Sequence, residues 1–211
     1  IFSTLIAIPL GIIAASNHNK PMDFLVMSFS QIGIAIPNFW FAMLLTIVFS
    51  VTFRLLPAGG FAGWDAGIIP VLKSFLLPTI ALALPQAAIL SRVTRSALLE
   101  VLKEDFIRTA RAKGVTNQGT LWKHALRNAL IPVVTIMGLQ FSFLLAGTII
   151  IENVFYLPGI GRLIFQAISQ RDLIVVKNLV ILLAGAVIMI NFVVDLLYAV
   201  IDPRLRGGSD A

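Results

Sequence analysis

The sequence predicts an all-α fold, a polytopic membrane helix bundle. Two observations carry this. First, 58% of the 211 residues are hydrophobic and 12% are charged, giving a mean hydropathy of +0.96, and the apolar residues come in runs too long for the helices of a soluble core. Second, the basic residues cluster between those runs, which is where membrane topology retains Lys and Arg. The same clustering explains the net charge of +6 without nucleic acid, which is excluded as a partner. The sequence has no cysteine, so disulfides, thiolate metal sites and Cys nucleophiles are excluded too.

In chain order, Ile1 to Ala15 is apolar but short of the roughly twenty residues that cross a bilayer. With no Met and no charged n-region it reads as the end of a span that begins before this sequence, not as a signal peptide. Asn17, His18, Asn19, Lys20 and Pro21 form a polar turn. Met22 to Phe53 is then a span, tilted or kinked where Pro37 removes a backbone donor. Arg54 to Lys73 mixes Pro, Gly and aromatics as an interfacial loop does.

Leu72 to Leu90 is the next span, with Pro78 and Pro85 inside it. A basic interlude from Arg92 to Arg127 follows, and then a span from Leu130 to Ile151, where Gly138 and Gly147 allow close helix approach. Glu152 to Lys177 is a second loop, with a Leu157-Pro-Gly-Ile-Gly161 turn leading into a short amphipathic helix, Arg162 to Ser169. Asn178 to Ile201 is the last span, and the Gly-Gly-Ser tail is expected to be mobile. This makes five segments, the first incomplete, in a single domain covering 1–211 with no internal repeat.

Orientation follows from counting. Lys20, eight residues of the interlude, Arg204 and Arg206 place eleven basic residues on one side, against Arg54, Lys73, Arg162, Arg171 and Lys177 on the other. The interlude therefore faces the cytoplasm. The segments 54–73 and 152–177 are the extracytoplasmic loops.

Within the interlude, Asp105 is placed to N-cap a helix from Phe106 to Lys113 and Gly114 to end it in a left-handed conformation. Arg111 and Lys113 suit the negative end of its dipole, and Glu104 is spaced to pair with Arg108. A helix this short is marginal in water and needs something to pack on. Phe106, Ile107 and Ala110 form an apolar face ringed by Arg108, Arg111 and Lys113, suited to a groove on an acidic or mixed partner. The plainer use of such a helix is as an anchor on anionic lipid. A second helix starts at Thr116 and runs through Leu121, Trp122 and Ala125 into the next span.

Inside the spans, Asp195 is the main ionisable residue, and therefore a functional candidate. Its plainer role is a buried pair with a base such as Arg127 or Arg92. Gln31, Asn38, Gln86, Gln140 and Asn191 are candidates to line a translocation path, although helix–helix hydrogen bonding is the commoner use of buried amides. His18 and His124 are too far apart for metal ligation. There is no Gly-x-x-x-x-Gly-Lys-Ser/Thr phosphate loop and no His-Glu-x-x-His. The pattern excludes an intramembrane enzyme; an ion-coupled secondary transporter, which uses several embedded relay groups, is the alternative to a subunit driven from outside.

Several longer runs carry a resemblance. They are Leu56-Pro-Ala-Gly-Gly60, Ala110-Arg-Ala-Lys-Gly114, His124-Ala-Leu-Arg-Asn-Ala-Leu-Ile-Pro132, Glu152-Asn-Val-Phe-Tyr-Leu-Pro-Gly-Ile-Gly161 and Val194-Asp-Leu-Leu-Tyr-Ala-Val-Ile-Asp-Pro-Arg204. Together they resemble the permeases of ATP-binding-cassette importers, in the dipeptide, oligopeptide and nickel branch. In the general pattern of Glu-Ala-Ala, three residues and Gly, Gly114 and Ala110 match, while Arg108 and Thr109 replace the Glu and the first Ala.

The resemblance implies an inner-membrane permease subunit that is not itself an enzyme, with no cofactor of its own. It implies a coupling helix over about 105–114, with Asp105, Phe106, Arg108, Ala110, Arg111, Lys113 and Gly114 as ATPase-coupling residues. The implied partners are a second homologous permease, two ATP-binding subunits carrying ATP and Mg, an extracytoplasmic solute-binding protein and membrane lipid. Peptides, glutathione and nickel chelates are the solutes such permeases carry.

Overall fold

The computed structural model describes residues 1–201. The side chains of Asn117, Asp195 and residues 197–201, and everything from 202 onward, lie outside the described residues; the expected C-terminal tail falls there. Among the described residues there is no strand. The elements are α1 (Phe2–Ser16), α2 (Pro21–Ala35), α3 (Asn38–Leu45) running into a π-helical turn (Thr46–Thr52), α4 (Ile68–Val101), α5 (Asp105–Ala112), α6 (Asn117–Gly119) continuing through a π-helical stretch (Thr120–Ala125) into α7 (Leu126–Val154), α8 (Ile160–Ser169) and α9 (Leu173–Ile201).

Among the described residues, three helical stretches are long and apolar enough to cross a membrane: Ile68–Val101, Thr120–Val154 and Leu173–Val194. A fourth crossing forms only if α2 and Asn38–Thr52 count as one broken span. The kink expected at Pro37 is therefore a full interruption. Pro37 is extended at ψ 134°, outside any helix, and α3 starts at the next residue. At fifteen residues α1 falls short of a crossing.

The spans also reach further than their apolar runs. α4 begins at Ile68 and ends at Val101, so the first ten residues of the basic interlude are helix and not loop. α9 begins at Leu173, five residues before the expected start. Helix hydrogen bonding does not stop where hydropathy changes, so polarity marks the membrane boundary and not the helix end. Pro78 and Pro85 stay inside α4, and Pro132 inside α7.

By internal contacts the described residues divide into two compact units, one made of 1–32, 87–140 and 190–201 and the other of 33–86 and 141–189. In the first unit a single buried cluster joins Ala7, Ile12 and Ala15 of α1, Leu90 and Leu98 of α4, Ile107 of α5, Leu121 and Ala125 of the π-helical stretch, and Val133 of α7. Gly11 lets α1 close on α4, since a Cβ there would stand 2.8 Å from the Ser91 carbonyl. Gly138 of α7 lies directly against Val194, as a small residue at a helix crossing should.

In the second unit Ala42, Leu45, Leu77, Ala81, Ile151, Phe155 and Leu157 form the core. Here Gly147 meets Leu82 and Asn38.

Candidate functional site

The segment after α4 turns sharply and re-enters helix at Asp105. The capping residue is Glu104, with φ −64° and ψ 149°, and no side chain caps the helix. Asp105 is thus the first helical residue and not the cap. Its carboxylate sits where the helix dipole favours negative charge, 3.4 Å from the Arg108 guanidinium. Arg108 pairs one turn back with Asp105, in place of the expected partner Glu104. Both side chains are largely exposed, so this pair orients Arg108 more than it stabilises the helix.

The other end is closed by the backbone. Gly114 has φ +86°, its N–H donates to the Arg111 carbonyl at 2.9 Å, and the Val115 N–H donates to the Ala110 carbonyl at 3.2 Å. These two bonds are the Schellman closure, which requires a left-handed residue after the last turn. Lys113 is the C-cap residue and lies outside the helix proper. Two residues on, the Thr116 hydroxyl accepts the Gly119 N–H at 3.1 Å and starts the next helix as its sequence position indicated.

The apolar face of α5 is split. Ile107 is 0% exposed and belongs to the buried cluster of its unit, whereas Phe106 is 43% exposed. The two residues are 100° apart around the helix, and only Ile107 is turned into the unit's core. Ile107 is the anchor that a two-turn helix needs. Phe106, Arg108, Thr109, Arg111, Ala112 and Lys113 are all exposed, and Ala110 is half-buried. The outward surface carries the Phe106 ring, the cations Arg108, Arg111 and Lys113, and the Asp105 carboxylate paired with Arg108.

The first unit also holds a polar joint that the hydropathy pattern concealed. Asp23, on the first turn of α2, receives a bidentate fork from Arg95 of α4: Nε donates to Oδ1 at 2.6 Å and Nη2 to Oδ2 at 2.7 Å. The Asn19 backbone N–H donates to Oδ2 at 3.0 Å. The Nδ1 atom of His18 lies 3.2 Å from Asp23 Oδ2 and 3.0 Å from Arg95 Nη2. Further along the same helix pair, the Ser30 and Ser91 hydroxyls are 2.9 Å apart, and Arg92 Nη1 donates to Gln31 Oε1 at 3.1 Å. The only sequence signal for this joint was a lone Asp two residues after a helix-starting Pro.

The six candidate path residues are divided between the two units. Gln31, Gln140 and Asn191 belong to the first unit, as does the backbone of Asp195, while Asn38 and Gln86 belong to the second. Gln86 and Gln140 are buried, and with Asn191 they are engaged in interactions. The Asp195 side chain lies outside the described residues; Arg92, one of the bases suggested for it, bonds Gln31.

In the second unit two of the sequence motifs meet. The Gly60 N–H donates to the Phe155 carbonyl at 2.7 Å, and that same oxygen would lie 2.6 Å from a Cβ on Gly59. Only glycine fits there. Glu152, at the end of α7, caps α8 from outside by accepting the Arg162 backbone N–H at 3.1 Å. A side chain at Gly159 would collide with that carboxylate, and one at Gly161 with the Ile149 backbone. Arg162 then returns to bond the Tyr156 carbonyl at 2.9 Å and stack on its ring.

A helical bundle with three or four crossings and an exposed, anchored cationic helix on one loop defines a multi-pass integral membrane protein. The chain belongs to the family of binding-protein-dependent transport system inner membrane components, whose pattern matches residues 7–207. A Brucella abortus protein named as a peptide transport system permease is 44% identical over 201 residues, covering 95% of this chain and 64% of that protein. The dipeptide transport system permease protein DppB of Escherichia coli K12 is 39% identical over 229 residues, covering 98% of this chain and 68% of DppB. The chain thus spans about two thirds of the length of these relatives.

Proposed function

We infer that this chain is a permease subunit of an ATP-driven importer in a bacterial inner membrane, forming half of a translocation pathway for peptides, with α5 as the helix that receives force from a separate ATPase subunit. The observation that carries this reading is the division of labour on α5. Ile107 fixes the helix to its own unit, while Phe106 and the cations Arg108, Arg111 and Lys113 face outward. A helix that served only as a lipid anchor would turn its apolar side chains to the acyl region together; this one keeps one inside the protein. The names of the relatives favour peptides over nickel chelates or glutathione as the solute.

The remaining parts follow from that reading. ATP and Mg are held by two partner ATPase subunits, whose closure biases the gate between two states through differential affinity. A second permease completes the pathway, and an extracytoplasmic binding protein delivers the solute. An ion-coupled mechanism is disfavoured by the Asp23–Arg95 fork, which ties up the buried Asp23 carboxylate structurally.

The test is Phe106→Ala in the assembled full-length transporter, with Ile107→Ala beside it. Phe106→Ala is expected to lower uptake per ATP hydrolysed while the permease melts as wild type does. Unchanged coupling in Phe106→Ala would remove α5 from the force path. Single cysteines placed at Lys113 and Gly60 should react from opposite sides of the membrane, and labelling of Lys113→Cys from outside would invert the topology and overturn the reading.

A further inference from the structure

The helical path from α5 to the span α7 is not α-helical throughout. Thr120–Ala125 is a π-helical turn, and the Leu126 N–H donates five residues back, to the Leu121 carbonyl, where an α-helix would use Trp122. A π turn holds one residue more than an α turn. Straightening it would therefore displace the segments on its two sides by one residue, about 1.5 Å along the axis and 100° around it.

This turn is gripped and not frayed. Thr120 is 0% exposed, and Leu121 and Ala125 are buried in the same cluster as Ile107 of α5. On the near side the Thr116 hydroxyl holds the Gly119 N–H; on the far side α7 continues directly from Leu126. Single π turns within helices are rare and gather at functional sites.

A second observation shows that the turn carries strain. In the α-helical parts of the chain a threonine hydroxyl donates to the carbonyl four residues back, as in Thr94, Thr109, Thr135 and Thr148. The Thr120 hydroxyl is buried with no hydrogen-bond partner, and so is that of Ser50 in the other π-helical turn, Thr46–Thr52. A buried hydroxyl without a bond is destabilising, so this turn persists because its packing enforces it.

We propose that Thr120–Ala125 is a register switch: when the ATPase displaces α5, the π turn gives way to α-helix and passes a one-residue displacement to the start of α7. Thr120, Leu121 and Ala125 are then positioning residues, acting through the register of α7 and touching neither ATP nor solute. The proposal rests on α5 as the helix that receives force, and names the element that passes the force on.

The assembled transporter with the full-length permease is reconstituted in proteoliposomes, with trialanine delivered by saturating binding protein as the probe. The first measurement is hydrogen exchange of the Leu126 amide in wild type, at rest and during ATP turnover. The switch breaks the bond from Leu126 to Leu121 in each cycle, so exchange is expected to quicken about fivefold or more during turnover. Equal rates would overturn the switch.

The second measurement is trialanine moved per ATP hydrolysed, in a variant lacking Lys123 and in Lys123→Ala. The Lys123 side chain is exposed, and the residue lends the turn only its backbone. Its deletion leaves an α turn with nothing to release, so the ratio should fall about tenfold or more while the permease melts as wild type does. Lys123→Ala keeps the extra residue and should stay within about twofold of wild type. A deletion variant that couples normally would overturn the switch, and so would equal losses in both variants, which mark a side-chain role. Should the deletion variant not assemble, the exchange rates decide alone. Normal coupling in Phe106→Ala with exchange that responds to ATP removes α5 as the receiver of force and leaves the turn as a moving part; impaired coupling in Phe106→Ala with unresponsive exchange keeps α5 and removes the switch.

Discussion

Replacing Asp23 by Ala removes both arms of the Arg95 fork, at 2.6 and 2.7 Å, and strands the Asn19 N–H that the carboxylate accepts. Arg95 remains as a cation with 20% of its side chain exposed, facing a space where the carboxylate, itself only 6% exposed, had been. Breaking a buried pair by deleting one partner costs about 3–5 kcal/mol, mostly from the charge left behind. Because Arg95 keeps some solvent contact, the expected cost is near the lower end, about 3 kcal/mol. Arg95→Met should cost a similar amount by stranding the anion.

The double variant Asp23→Leu with Arg95→Met removes both charges and returns apolar volume. It should unfold within about 1 kcal/mol of wild type, since a buried pair is often replaceable by packed hydrophobic residues. The assay is reversible unfolding in mixed micelles, read as a double-mutant cycle. Single losses below about 1 kcal/mol, or an additive double variant, would refute the view that this fork joins α2 to α4.

Other outcomes follow from the same geometry. Ile107→Ala should destabilise the first unit by about 2–5 kcal/mol in the same unfolding assay, whereas Phe106→Ala should stay within about 0.5 kcal/mol, because only the first empties a buried site. Gly114→Val forces a β-branched residue to φ +86° and should cost at least about 1–2 kcal/mol, with faster hydrogen exchange at Val115. Glu152→Ala should speed exchange of the Arg162 amide by freeing the start of α8, at a cost of about 1–2 kcal/mol; an unchanged rate would remove Glu152 as the cap. Gly161→Ala places a methyl group against the Ile149 backbone and should lower the melting temperature and the yield of folded protein.

The features legible from sequence are those whose causes lie within a few residues. The apolar runs identified the crossings because a bilayer demands an uninterrupted apolar length. Pro37 marked a kink, which the structure turns into a full interruption, Gly114 a left-handed closure and Thr116 a helix start, each through its own backbone or side-chain chemistry. The same locality explains the errors. Asp105 and Glu104 are both acidic and adjacent, and only the actual turn decides which of them enters the helix. The end of α4 was misplaced because Arg92 to Val101 looks like loop by polarity and is held as helix by its backbone.

What required the tertiary structure is every relation spanning distant residues. Asp23 and Arg95 are 72 positions apart, and nothing near either one announces the other. The Leu56 to Gly60 and Glu152 to Gly161 motifs are separate strings until the Gly60 amide reaches the Phe155 carbonyl. Ile107 and Phe106 are neighbouring apolar residues of similar character, and which of them is buried depends on where α4 and the π-helical stretch set the pocket. The sequence by itself determined that helices cross a membrane and that a short cationic helix stands between two of them. Packing alone decided which side of that helix is held and which is offered, because burial is settled by the neighbours a residue meets in space and not by those it has along the chain.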